Sequence, residues 1–219
     1  MGKVIAITSG KGGTGKTTST AALASCLAYL GYRTVCVDGD VGLKNLDLAL
    51  GLADAAVMDF SDVLSGRVEL EDAVVPHPDI RNLCLLSAPV SLTPEEIPPA
   101  DMARLKRRLR DMAIVVSGGV PASLRDAERT TAELFALGLE DVRLLVNRYS
   151  RRLLRWTAST IDDYIDHVGA RLVGIVSEDS SVSKAAAMET ALVLCDSRAA
   201  FQYLRIARRI TGEKVPVGR

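Results

Sequence analysis

The chain has 219 residues, of which 48% are hydrophobic and 25% charged, and its 27 lysines and arginines balance 27 aspartates and glutamates. That length suits one well-cored α/β domain, and the even charge excludes a bulk electrostatic pull toward nucleic acid or acidic lipid. Cys26, Cys36, Cys84 and Cys195 lie far apart with no Cys-x-x-Cys pair, which argues against a zinc site or a disulfide framework.

From the amino terminus, a first strand is predicted at Val4–Thr8 with no targeting leader before it. No apolar run reaches the roughly 18 to 20 residues a spanning helix needs. We therefore expect a cytoplasmic protein, with any membrane contact peripheral. The strand runs into Gly10-Lys11-Gly12-Gly13-Thr14-Gly15-Lys16-Thr17-Thr18. Glycines let successive backbone N–H groups turn inward as an anion nest, and the positive end of the next helix points to the same place. Lys16 supplies a point charge for the β- and γ-phosphates, and the Thr17 hydroxyl is a magnesium ligand. The expected ligands are ATP and Mg2+.

The helix that follows carries Leu23, Cys26, Leu27 and Leu30 on one stripe and stops at Gly31. A second strand at Thr34–Asp38 ends in two carboxylates, Asp38 and Asp40. Further strands are predicted at Leu83–Ser87, Ala113–Val116, Val142–Asn147 and Leu172–Val176. Between them fall a Pro94–Pro99 loop, a helix over Asp101–Arg110 and a helix starting at Ser123, whose hydroxyl would cap it. The stripe Ile161, Tyr164, Ile165 and Val168 marks another helix, ending at Gly169. Most of the strands are continuous apolar runs, as for parallel strands covered on both faces. The fold class is α/β: one domain over 1–219, a doubly wound, mostly parallel sheet with helices on both faces. His77 and His167 have no partner at metal spacing and read as structural. Trp156 and Tyr149 read as packing beneath a basic loop, and the Arg104–Arg110 cluster as a solvated helix face.

Lys11 is a second lysine beside the same phosphates. With it, Lys11-Gly12-Gly13-Thr14-Gly15-Lys16-Thr17-Thr18 resembles the deviant Walker A loop of the MinD/ParA family of P-loop ATPases. The resemblance implies an ATP-dependent homodimer in which Lys11 reaches the partner's nucleotide, coupling hydrolysis to association. Asp38-Gly39-Asp40-Val41-Gly42-Leu43-Lys44-Asn45-Leu46-Asp47 is similar to the MinD branch, which places the division site, and to its FlhG relative. By that likeness Asp40 orients the attacking water and Asp38 supports the metal. Asn147 reads adenine, and the loop at Glu178 and Asp179 closes over the base. Implied partners are a MinC-like inhibitor and a MinE-like activator. The alternatives are an FlhG-like flagellar-number regulator, a ParA-like DNA partition ATPase and an ATP-binding scaffold with little hydrolysis. The chain opens at the strand without an activator helix, which favours MinD over FlhG.

The resemblance breaks at three places. The family's strand ending in Asp-x-Pro-Ala-Gly, the Walker B aspartate and second switch, has no counterpart before Ala113. Leu109–Ile114 passes from helical to strand pattern without turn residues, where about two to six are usual. We therefore expect the numbering to close over a segment of the molecule near 110–113, with a Cα–Cα distance well beyond about 3.8 Å. A true deletion would impair magnesium handling. The second break is the end, Lys214–Arg219, which is too short and polar for the family's amphipathic membrane helix. The third is Ser177, where the family has proline, and Ser117-Gly118-Gly119 for Thr-Thr-Pro. The serine at 177 is expected to loosen the base-side loop.

Overall fold

Short β-branched runs make the strands, and alanine-rich or amphipathic segments make the helices between them. The computed structural model describes residues 2–40, 44–89, 111–150, 152 and 160–217. In chain order these give β1 (Ile5–Thr8), α1 (Lys16–Tyr29), β2 (Thr34–Val37), α2 (Leu46–Leu50), α3 (Phe60–Leu64) and α4 (Leu70–Ala73). Next come β3 (Val75–Pro76), β4 (Leu83–Leu86), β5 (Met112–Gly118), α5 (Pro121–Ala136), β6 (Val142–Tyr149) and α6 (Ile161–Val168). The chain then forms β7 (Arg171–Ser177), α7 (Ser180–Ala187), a 3-10 turn at Leu192–Leu194 and α8 (Arg198–Ile210). All six predicted strands are present. The predicted Pro94–Pro99 loop, the Asp101–Arg110 helix and Trp156 lie outside the described residues.

Four parallel strands form one sheet in the order β1-β5-β6-β7. The continuous run Met112–Ser117 is buried along its whole length in the middle of this sheet. A second, three-stranded sheet has the order β2-β4-β3, with β2 and β4 parallel and the two-residue β3 antiparallel. The sequence pattern gave no sign of β3, which includes Pro76.

Helix α1 covers both sheets, packing on β1, β2 and β4, with α8 beside it. Its small side chains, Ala21, Ala22, Ala24 and Ala28, let it lie close to several neighbours at once, and all four are buried. The Ser19 hydroxyl on α1 and the Tyr203 hydroxyl on α8 pair at 2.9 Å, both fully buried. Burial pushes the thiols of Cys26 and Cys36 up to about 12, so both are inert core groups.

Among the described residues β1 ends one sheet and β2 ends the other. Among these residues no backbone pairing joins the two sheets. Val35 and Val37 of β2 remain 47% and 46% exposed, whereas Cys36 between them is buried against α1. The junction expected to hide a gap falls partly on residues 101–110, outside the described residues. From Asp111 the chain enters β5 directly, and the Asp111 carboxylate accepts the Val4 N–H at 2.7 Å, tying the starts of β5 and β1 together.

Helix α5 begins at Pro121, not at Ser123. Proline fixes φ and needs no acceptor in the first turn, so it opens the helix itself. The Ser123 hydroxyl instead accepts the Gly118 N–H at 2.8 Å and pairs with Ser117 at 3.2 Å, bracing the end of β5.

Candidate nucleotide-binding site

The loop from Ser9 to Gly15 joins the C-terminal end of β1 to the N-terminus of α1. Gly13 and Gly15 have φ of +76° and +96°, a region side chains rarely enter, and this turns the chain back over the helix start. Gly15 precedes Lys16 as the helix cap, and neither a capping side chain nor an acidic residue occupies the first turn. The first N–H groups of α1 and its positive dipole end are thus left to an external anion.

Two of the glycines are required by packing. A Cβ on Gly10 would sit 2.5 Å from the carbonyl oxygen of Asp126 on α5, and one on Gly15 would sit 2.2 Å from Nδ2 of Asn147. Gly12 is different. It has no positive φ, and a Cβ there would meet no protein atom within 4 Å. The backbone there faces open space, which leaves room for a ligand to come close.

The side chains converge on the same turn. The Lys16 ammonium donates to the Ser9 hydroxyl at 3.1 Å, which donates to the Lys11 carbonyl at 2.8 Å. The buried Thr14 hydroxyl also reaches that carbonyl, at 3.4 Å. Lys16 is therefore folded back onto the loop, and Lys11 stands exposed at its rim. Thr17 and Thr18 occupy the first turn, half-buried.

This geometry of strand, glycine turn and uncapped helix coincides with a match to the CobQ/CobB/MinD/ParA nucleotide binding domain over residues 5–193. The chain belongs to that family. Within it the chain is of the MinD type: it is 34% identical over 247 positions to the septum site-determining protein MinD of Bacillus subtilis, covering 99% of this chain and 92% of that one. It is also 34% identical over 248 positions to the septum site-determining protein MinD of Thermotoga maritima, covering 99% and 91%. Its fold is similar to that in the MinC:MinD cell division protein complex of Aquifex aeolicus, with TM-score 0.87, 30% identity and coverage of 100% and 99%.

Of the other residues expected at a MinD/ParA-type site, Asn147 comes nearest the loop. It is 6% exposed at the end of β6, and its Nδ2 donates to the Thr14 carbonyl at 2.9 Å. Here the amide braces the loop from behind.

Asp38 closes β2 in a buried position. Its two oxygens accept the N–H groups of Asp40 and Leu46, each at 3.1 Å, so it organises the loop after β2. Burial raises its pKa, aided by the neighbouring Asp40 and Asp47 carboxylates, while the two amides oppose the shift. Asp40 is exposed beyond it. Among the described residues no hydrogen bond joins either aspartate to the Ser9–Gly15 loop.

On the far side, Glu178 is exposed, and its N–H donates to the Tyr149 carbonyl at 3.1 Å. Asp179 caps α7, accepting the Ser181 N–H at 2.9 Å, and with its other oxygen accepts the Ala199 N–H of α8, also at 2.9 Å. It is a joint between two helices.

Ser177 overturns the expected loosening. Its N–H donates to Gln202 Oε1 at 2.9 Å, and its hydroxyl accepts from Gln202 Nε2 at 3.1 Å. A proline there would lack the N–H, so this clamp replaces ring rigidity with two hydrogen bonds. Neither Gln202 nor Ser9 was singled out from sequence. Gln202 lies on a helix 25 residues away, and no spacing signals the pair.

His77 is structural, as expected. Its Nδ1 accepts the N–H groups of Asp79 and Ile80, each at 3.1 Å, and Nε2 bonds the Leu50 carbonyl at 2.9 Å. No helix among the described residues is long and apolar enough to cross a membrane.

Proposed function

We propose that this chain is an ATPase that dimerises on binding ATP and takes part in placing the division site. The observation that carries the reading is the loop itself: Gly12 leaves room for a ligand to approach the backbone, α1 offers uncapped N–H groups, and two lysines stand beside them. Gly10, Lys11, Gly12, Gly13, Thr14, Gly15, Lys16, Thr17 and Thr18 would hold the triphosphate. The Thr17 hydroxyl and Asp38 would hold Mg2+, whose chemistry is to neutralise charge developing on the phosphates. Lys16 exchanges the Ser9 hydroxyl for a phosphate oxygen. Lys11, exposed at the rim, would act on the nucleotide of a second copy, and Asp40 would orient water. Glu178 and Asp179 would form the base side, with Asn147 bracing the phosphate loop beside it.

The relatives in Bacillus subtilis and Thermotoga maritima, both septum site-determining proteins, support the cellular role. The Aquifex aeolicus complex supports a MinC-like partner. A MinE-like activator and a cytoplasmic location with peripheral membrane contact complete the reading; the balanced charge argues against nucleic acid as the partner.

We also read the chain as one nucleotide-binding domain lacking the family's interior Walker B unit. The alignment to the Bacillus relative spans 247 positions and takes in 99% of the 219 residues here, about 217, so about 30 positions (247 − 217) have no residue in this chain. That total is close to the length of one strand-helix unit, about 30 residues. This favours a second reading, an ATP-dependent scaffold that hydrolyses little.

Light scattering with ATP and with ADP, alongside phosphate release by the native chain, Lys11→Ala and Lys16→Ala, tests both. An ATP-only dimer whose turnover falls on Lys11→Ala supports the ATPase. An ATP-only dimer without turnover supports the scaffold. Absence of nucleotide binding by the native chain sinks both.

A further inference from the structure

We propose that Gln202 is a positioning residue of the nucleotide site, fixing the turn at the end of β7 so that it presents Glu178 to the nucleoside half of the ligand. The proposal rests on reading the glycine loop as a triphosphate site. It adds a side chain on α8, outside every motif that the sequence displays.

In parallel sheets ligands gather at the carboxyl ends of the strands, and three such ends lie together here. β1 runs into the glycine loop, and β6 carries Asn147, whose amide reaches that loop at the Thr14 carbonyl. β7 is parallel to β6, and Ser177 pairs with Tyr149 at the same end. Ser177, Glu178 and Asp179 therefore leave the sheet on the side where the glycine loop stands, one strand beyond Asn147.

Each residue of this turn is held. Ser177 donates its N–H to Gln202 Oε1 at 2.9 Å, and Gln202 Nε2 donates to the Ser177 hydroxyl at 3.1 Å. The Glu178 N–H donates to the Tyr149 carbonyl at 3.1 Å. Asp179 accepts the Ser181 and Ala199 N–H groups, each at 2.9 Å. Between these ties the Glu178 side chain is exposed. Two of the holding groups, Ala199 and Gln202, lie one turn apart on α8, and the next residue, Tyr203, pairs with Ser19 of α1 at 2.9 Å. Consecutive residues of α8 thus hold the β7 turn and the helix that follows the glycine loop. The helix sets the spacing between them.

Stability alone accounts poorly for the clamp. Freezing a glutamine side chain costs rotamer freedom of the same order as two neutral hydrogen bonds contribute. What the clamp does fix is one peptide unit. Among the described residues β7 pairs only with β6, and the Ser177 N–H goes to Gln202 instead of into the ladder. Released to water, the last residues of the strand would fray. Clamped, they are preorganised, and a preorganised contact keeps the binding energy that ordering would otherwise consume.

The test separates the two halves of the ligand. The full chain is titrated calorimetrically with Mg-ATP and with Mg-tripolyphosphate, which has no nucleoside, at a temperature where melts show every variant folded. Gln202→Ala should weaken ATP about tenfold and leave tripolyphosphate within about twofold. Adding Ser177→Pro to Gln202→Ala should recover most of the ATP affinity, because the ring fixes φ and removes the orphaned N–H. Ser177→Ala, which keeps the N–H bond and loses the other, should show the same selective loss on a smaller scale, and it carries the test if Gln202→Ala does not fold. Unchanged ATP affinity in both single variants overturns the proposal, as do equal losses for the two ligands or a double variant no better than Gln202→Ala. A native chain that binds ATP no tighter than tripolyphosphate overturns it too, and leaves the loop reading standing. A native chain that binds neither ligand overturns both.

Discussion

The side-chain amide of Asn147 donates to the Thr14 carbonyl at 2.9 Å, so the end of β6 props up the loop at the start of α1 across 133 residues of sequence. A residue in that position supports the loop whatever base lies beside it. Asn147→Ala removes a buried hydrogen bond and leaves the Thr14 carbonyl unpaired, costing about 1–3 kcal/mol. If the brace acts on the bound loop, nucleotide affinity falls roughly 5- to 150-fold by that cost, equally for ATP and GTP. Calorimetric titration with both nucleotides checks it. A loss for ATP alone would restore the expectation that Asn147 reads adenine.

Gly10 and Gly15 fail for different reasons when replaced by alanine. At Gly15 the new Cβ would lie 2.2 Å from Nδ2 of Asn147, at a φ of +96° that disfavours any side chain. At Gly10 it would lie 2.5 Å from a backbone oxygen of Asp126, which cannot rotate away. Asn147→Ala should therefore partly rescue Gly15→Ala and leave Gly10→Ala unimproved. Thermal melts of the single and double variants decide this through the coupling energy, about 0.5–3 kcal/mol for residues in contact.

His77→Ala should destabilise the fold without touching nucleotide affinity. The ring satisfies two N–H donors and one carbonyl in a buried loop, and the smaller side chain satisfies none. The expected loss is about 2–4 kcal/mol in urea unfolding, a sum of unsatisfied groups and a cavity.

Asp179 makes the joint between α7 and α8 sensitive to acid. Ser181, through its side chain and its amide, and the Ala199 amide hold the carboxyl below its ordinary value of 3.8. The Ser181 hydroxyl makes no hydrogen bond of sound geometry, so the two amides, both at 2.9 Å, are the firm part of that effect. The folded chain thus binds fewer protons here than the unfolded chain. The stabilisation is complete above the unfolded value and is lost as pH falls through the lower folded value. Melting temperature followed downward from pH 6 should drop more steeply below pH 4 in the native chain than in Asp179→Asn.

Local sequence carried much of this molecule. Apolar runs marked six strands because parallel strands need both faces buried, and glycines marked the turn because only they accept its φ values. Gly31 and Gly169, both at positive φ, end their helices where the periodicity stops. Pairings over long separations were not legible. The Asn147–Thr14 bond, the Gln202 clamp on Ser177 and the Ser19–Tyr203 contact have no periodic signature, since each depends on which elements come to lie side by side. The start of α5 was misplaced because Ser123 has the chemistry of a cap but uses it on Gly118. The shortage of turn residues before Ala113 pointed to a segment closed over by the numbering, and much of that stretch, residues 101–110, lies outside the described residues.

Ser19 sits one turn into the helix that follows the glycine loop, and the hydroxyl it grips belongs to α8, 184 residues further along the chain. During synthesis on the ribosome α8 emerges long after α1. The glycine loop is therefore made well before the contact that locks its helix in place, and a nascent chain cut short before Tyr203 carries every loop residue without the brace that steadies them.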